Sequence, residues 1–188
     1  NYLFSNNYAL TTIIGIDTWD MSKVATAVFV WRDCKVLTTL NLPWDVSSLT
    51  NATNMCIGCS ALTTLIVPWT TPKLQNVNNW LYGCSALTEV DLSTWVTTTL
   101  NNTSTQFSNC SNLVTIYAGD GWDMSAVTNG GNMFINCTKL VGAVPYNASQ
   151  RGVEMANWTT GYLTYKAPPA PQTNIAVFMA HYARLRNA

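Results

Sequence analysis

Tryptophan and cysteine recur along this chain at nearly fixed intervals. Trp19, Trp44, Trp69, Trp95 and Trp122 form one ladder, and Cys34, Cys59, Cys84, Cys110 and Cys137 form a second. Both advance by 25, 25, 26 and 27 residues. A self-similar period of this size means stacked structural units, each burying its apolar face against its neighbours. Every Trp-to-Cys segment spans 15 residues, whereas the Cys-to-Trp segments span 10, 10, 11 and 12. The length changes therefore fall in one half of the repeat, which must hold a surface loop. An altered copy opens the chain at Phe4–Leu10, with Asn7 where the others carry Cys, so this unit is expected to be terminal or partly exposed.

After each ladder cysteine comes a leucine pattern: Leu37-x-x-Leu40-x-Leu42, Leu62-x-x-Leu65-x-Val67, Leu87-x-x-Val90-x-Leu92 and Leu113-x-x-Ile116-x-Ala118. The first unit offers Leu10 to Ile14. Alternation over the last positions predicts short strands with one buried face, joined side by side into a parallel sheet. The other half reads differently. An apolar residue follows each ladder Trp by five, and Asp20, Asp45 and Asp123 directly follow theirs. Asp before an apolar run is a turn or helix N-cap signal. Spaced Val, Met/Phe and Cys positions predict one or two helical turns per unit, with Asn, Thr and Gly arguing against anything longer. The expected fold is an α/β solenoid, leucine-rich-repeat-like. It has about six coils of 25–27 residues, a parallel sheet of short strands on one face and short helical turns on the other.

Trp122-Asp123-Met124-Ser125-Ala126-Val127-Thr128-Asn129, followed by Asn132-Met133-Phe134-Ile135-Asn136-Cys137-Thr138-Lys139-Leu140, resembles the repeat of the BspA-like leucine-rich-repeat surface proteins. The similarity runs from about Phe4 to Thr164. Thr160–Thr164 is similar to the closing coil of such arrays, and the repeat from Trp69 departs most, with Thr70 for Asp and Pro72 for Ser. The resemblance implies secreted or surface-anchored proteins of anaerobic bacteria and some protists, with adhesion roles. It brings no catalytic residues.

Charged residues make up only 10% of the chain, and the formal net charge is zero. No basic surplus points to nucleic acid, and no apolar run reaches membrane-spanning length. Cys56 takes the position held by Phe107 and Phe134 in their repeats, so all six cysteines read as small, free core residues rather than disulfides. Cys56-x-x-Cys59 has redox and zinc spacing, but the repeat register explains both residues and the single histidine, His181, is remote. No catalytic base, metal set or cofactor site is implied, and the chain is read as non-enzymatic. The pairs Asp17 with Asp20 and Asp120 with Asp123 could serve acid–base work or bind calcium, but Asp20 and Asp123 are read as turn caps repeated by Asp45. The Asn-x-Ser/Thr triplets are read as compositional.

Two candidate interaction surfaces remain. On the strand face, residues between the buried positions point outward. Thr39 and Asn41, Thr64 and Ile66, Glu89 and Asp91, and Thr115 and Tyr117 form two columns, with Thr12 and Ile14 before them. They are expected to meet a protein partner or a host or surface ligand. The domain plan is a repeat body over 1–165, a Pro-rich linker over 166–172 and an amphipathic helix over 173–188. Ile175, Phe178, Met179, Tyr182 and Leu185 would share one helical face. The body to residue 165 carries six basic and nine acidic residues, whereas the tail adds Lys166, Arg184 and Arg186. A short isolated helix is marginal in water. It would dock on its own body, in homo-assembly, or in a larger complex. The functional expectation is an extracellular or cell-surface, adhesin-like binding module. The alternative is a structural subunit of a filament, envelope complex or virus particle held through that helix.

Overall fold

The computed structural model describes residues 1–169. The tail helix proposed over 173–188, with Ile175, Phe178, Met179, Tyr182 and Leu185, lies outside the described residues, as does the end of the Pro-rich linker.

Successive repeats lie on one another, and their backbones are bonded across the stack. In the half expected to wind into helical turns, the N–H groups of Ala27, Phe29, Trp31 and Asp33 donate to the carbonyls of Asn51, Thr53, Met55 and Ile57 at 2.8–3.3 Å. Ala52, Asn54, Cys56 and Gly58 repeat this onto Asn76, Asn78, Trp80 and Tyr82. The same register continues to Ile135. An α-helix would send these donors to residue i−4 of its own turn. Here each unit instead places residues in the left-handed region four apart. These are Phe29 and Asp33 (φ 56° and 57°), Asn54 and Gly58 (56° and 75°), Asn79 and Gly83 (52° and 74°), Thr105 and Asn109 (55° and 63°), and Asn132 and Asn136 (58° and 60°). A left-handed residue breaks right-handed winding, so alternate donors turn to the next coil.

The expected α/β solenoid with a helical face is therefore wrong. Among the described residues helical structure is limited to two 3-10 segments, Ile16–Thr18 and Val153–Met155, of three residues each. The strand face also differs from the expected continuous sheet. Five short strands form, β1 Thr39–Asn41, β2 Thr64–Ile66, β3 Glu89–Leu92, β4 Thr115–Ala118 and β5 Thr164–Tyr165. They make two separate parallel sheets, β1–β2 and β3–β4–β5, that do not close into one wall along the stack. Leu10–Ile14 of the first unit forms no strand.

The core lies between the turn side and the strand side. Leu40, Leu65, Val90 and Ile116 point in from the strands and are buried. Ladder indoles stack plane on plane: Trp19–Trp44 at 6.0 Å, Trp44–Trp69 at 6.3 Å and Trp69–Trp95 at 5.9 Å between ring centres. Trp44, Trp69 and Trp122 each donate their indole N–H to a buried carbonyl, of Ile16, Leu42 and Ala156 respectively. The cysteines are free and buried. Each ladder thiol donates to a carbonyl of the preceding coil: Cys34 to Phe4, Cys59 to Trp31, Cys84 to Cys56, Cys110 to Leu81 and Cys137 to Phe107, at 3.0–3.2 Å. Small size alone does not describe this position, which also needs a donor. Asn7, its counterpart in the first unit, is exposed.

Asp20, Asp45 and Asp123 close turns by accepting the N–H of Ser22, Ser47 and Ser125. These bonds stabilise the charged form, and the three carboxyls titrate below their ordinary value. Asn51, Asn76 and Asn102 do the same for Thr53, Asn78 and Ser104. Residues 141–163 close the far end. Tyr162 is buried there, edge-on to Phe134 at 5.5 Å, with its hydroxyl donating to the Gln150 carbonyl at 2.7 Å.

Candidate functional site

The break between the two sheets creates the cleft of interest. In β1 and β2 the bond from Thr64 N–H to the Thr38 carbonyl, and that from Leu42 N–H to the Ile66 carbonyl, fix the ladder. A parallel ladder uses alternate residues on each side, so Leu65 of β2 directs its backbone groups toward β3. Among the described residues no ladder joins β2 to β3. A cleft of about 670 Å³ opens there on the outward face. One wall is Thr63–Pro68. The opposite wall carries Thr88, Glu89 and Asp91, with Ser93 and Thr94 below. Lys166, Ala167 and Pro169 complete it, because the chain crosses the sheet after β5.

The predicted face residues occupy their expected columns within each sheet. Thr39 pairs with Thr64, Asn41 with Ile66, Glu89 with Thr115 and Asp91 with Tyr117. Thr64, Ile66, Glu89 and Asp91 come together in the cleft. Thr39 and Asn41 stand one strand away, exposed on β1, while Thr115 and Tyr117 are half-buried on β4. Ile66 is 47% exposed.

Lys166 is the residue that sequence reasoning missed at this site. Its backbone N–H donates to the Ala118 carbonyl at 2.9 Å. That anchor aims its ammonium at Asp91 Oδ2, 2.5 Å away, and over the Tyr117 ring at 5.0 Å from the centroid. Asp91 also accepts the Ser93 N–H at 2.9 Å. Partial burial opposes ionisation of Asp91, but Lys166 and Ser93 together hold its carboxyl below the ordinary carboxylate value. The hydrogen bond to Asp91 in turn raises Lys166. Among the described residues the ion pairs are Arg32–Asp33 and Lys166–Asp91, so the exposed Glu89 carboxylate is uncommitted. The cleft thus offers one free anionic acceptor, hydroxyls from Thr64 and Thr88, and an apolar patch at Ile66. The signal for Lys166 was its place directly after the closing strand, where the charge had been assigned to the tail.

A second depression, of about 870 Å³, lies on the closing segment beside Tyr146 and Glu154. The Glu154 carboxylate is engaged there by the Gly152 N–H at 2.9 Å. The Cys56-x-x-Cys59 pair is buried in the core away from both hollows. Burial pushes the Cys59 thiol up to about 12 and Cys56 well above its ordinary value, against any role as a ready thiolate.

The family model described as "Mycoplasma protein of unknown function, DUF285" matches residues 1–117. The chain belongs to the DUF285 family. That match covers β1, β2 and β3 with most of β4, and therefore both walls of the cleft in this DUF285 chain. Lys166 and the closing segment lie beyond it. No curated protein and no solved structure matches the chain. Among the described residues no helix is long and apolar enough to cross a membrane.

Proposed function

We propose that this chain is a non-enzymatic, BspA-like protein-binding module of adhesin type, acting outside the cell or at its surface, and that its partner seats in the strand-face cleft. One observation carries the reading. Ile66 and Glu89 stand exposed on facing walls of the cleft, an apolar anchor opposite an acceptor with no ion-pair partner among the described residues. Interfaces draw most of their energy from a few such anchored groups within a surround of near-neutral contacts. The hydroxyl-rich walls supply hydrogen bonds without charge, as suits a chain with so few charged residues. The Trp-Asp-x-Ser start, shared by Trp19, Trp44 and Trp122 and extended to Trp-Asp-x-Ser-x-Val-x-Asn at the last, supports the family side of the proposal.

The test is adherence. The chain is displayed on an otherwise non-adherent bacterium, and attachment to an epithelial monolayer is counted with and without the double substitution Ile66→Ala, Glu89→Gln. Attachment is expected with the native chain and should fall by about tenfold in the double variant, the effect of losing about 1.4 kcal/mol. Equal attachment by the two would move the site off this cleft.

A further inference from the structure

The first strand has an unused edge. Leu42 N–H donates to the Ile66 carbonyl, and the Thr38 carbonyl accepts from Thr63 and Thr64. That register commits Leu40 to β2 and turns both backbone groups of Thr39 and of Asn41 the other way. The first unit should cover them, but its segment 12–17 stands off instead of pairing. Among the described residues no backbone hydrogen bond joins that segment to β1. A groove of about 240 Å³ lies between, lined by Thr12, Ile13, Ile16 and Asp17 on one side and by Thr39 and Asn41 on the other. β1 is short, but Thr39–Asn41 contains no charge, proline or bulge to block its edge.

We infer that this groove is a strand-addition site for an extended peptide segment of a partner protein carrying a basic side chain. The occupant follows from the chemistry displayed. Two N–H groups and two carbonyls in alternating order along one edge are satisfied together by another extended backbone. Asp17 is exposed on the opposite wall and has no ion-pair partner among the described residues, which selects Lys or Arg. A second copy pairing edge to edge fits poorly. A two-fold pairing would bring the two exposed Asp17 carboxylates onto the same interface. This site stands apart from the cleft between β2 and β3 and does not rest on the function proposed for it.

The experiment is an NMR titration of the whole chain with the blocked pentapeptide acetyl-Val-Thr-Lys-Thr-Val-amide. Its analogue, N-methylated at alternate amides, is run in parallel. Binding by strand addition should shift the amide resonances of Thr39 and Asn41 and slow their hydrogen exchange, with little effect from the methylated peptide. Asp17→Asn, at an exposed position, should weaken the affinity by roughly two- to fivefold, the range of an exposed ion pair. Three results would overturn the inference: equal shifts with the methylated peptide, shifts at Ile66 and Glu89 in place of Thr39 and Asn41, or none at any soluble concentration. Concentration-dependent shifts of Thr39 and Asn41 in the free chain would overturn it in favour of a second copy.

Discussion

Gln106 is the least comfortable residue in the core. It is fully buried, yet neither its carbonyl oxygen nor its amide nitrogen has a partner. At the same repeat position Met55 and Met133 are buried without polar cost. Leaving a buried amide unsatisfied costs about 1–3 kcal/mol. Gln106→Met is therefore expected to stabilise the chain by about that amount, read as a higher denaturant midpoint at unchanged slope. Trp95 is the opposite case. It is fully buried and contacts Trp69 at 5.9 Å and Trp80 at 4.9 Å between ring centres. Its indole N–H is unpartnered, so its contribution comes from packing. Trp95→Ala should cost about 3–5 kcal/mol in the same melt. A loss under about 1 kcal/mol would mean that the indole stack does not carry the core.

At the scale of elements, the left-handed positions decide the fold of the turn side. Gly83 isolates their effect. A Cβ built there would meet only ordinary contacts, the nearest being Gly58 Cα at 3.8 Å, while φ stays at 74°. Gly83→Ala should therefore cost about 1–2 kcal/mol through conformation alone. Gly58→Ala should cost more, because a Cβ there would fall 2.4 Å from Asp33 Oδ1. These columns also explain what the sequence revealed and what it hid. The strands were legible because Leu40, Leu65, Val90 and Ile116 alternate with exposed neighbours, and period two has few rivals. The turn side was misread because the spacing of Val127, Met133, Phe134 and Cys137 also fits a short helical segment. The deciding signal was present in the Asn54/Gly58, Asn79/Gly83 and Asn132/Asn136 pairs, residue types suited to positive φ. The cleft was legible only in part. Alternation names Ile66 and Glu89, but no side-chain pattern marks where a backbone ladder stops, or that Lys166 returns 75 residues later in the chain to reach Asp91.

For the molecule as a whole, the thiol ladder sets an upper limit on pH. Burial raises Cys59 and Cys137 to about 12 and carries Cys56, Cys84 and Cys110 well above their ordinary value. A folded value above the unfolded one gives stability that is complete below the unfolded pKa and is lost as pH rises past it. Each such thiol removes about 1.4 kcal/mol per pH unit once the unfolded chain ionises near pH 8.5–9. Urea melts should therefore hold steady through neutral pH and collapse between about pH 9 and 11, given a total stability of about 5–15 kcal/mol. Cys110→Ala should make that fall shallower by one thiol's share, and an unchanged slope would remove the thiols as its cause.

Along the left-handed columns of the turn side each unit donates forward to the next, from Tyr2 onto Val28 through to Asn109 onto Ile135, while Thr50, Gln75, Asn101 and Thr128 donate back to the unit before. Those columns are therefore polar, like a row of hooks all facing one direction. A break in one such column would leave unpaired donors on the earlier unit and unpaired acceptors on the later one, so the two faces it exposed would differ in chemistry.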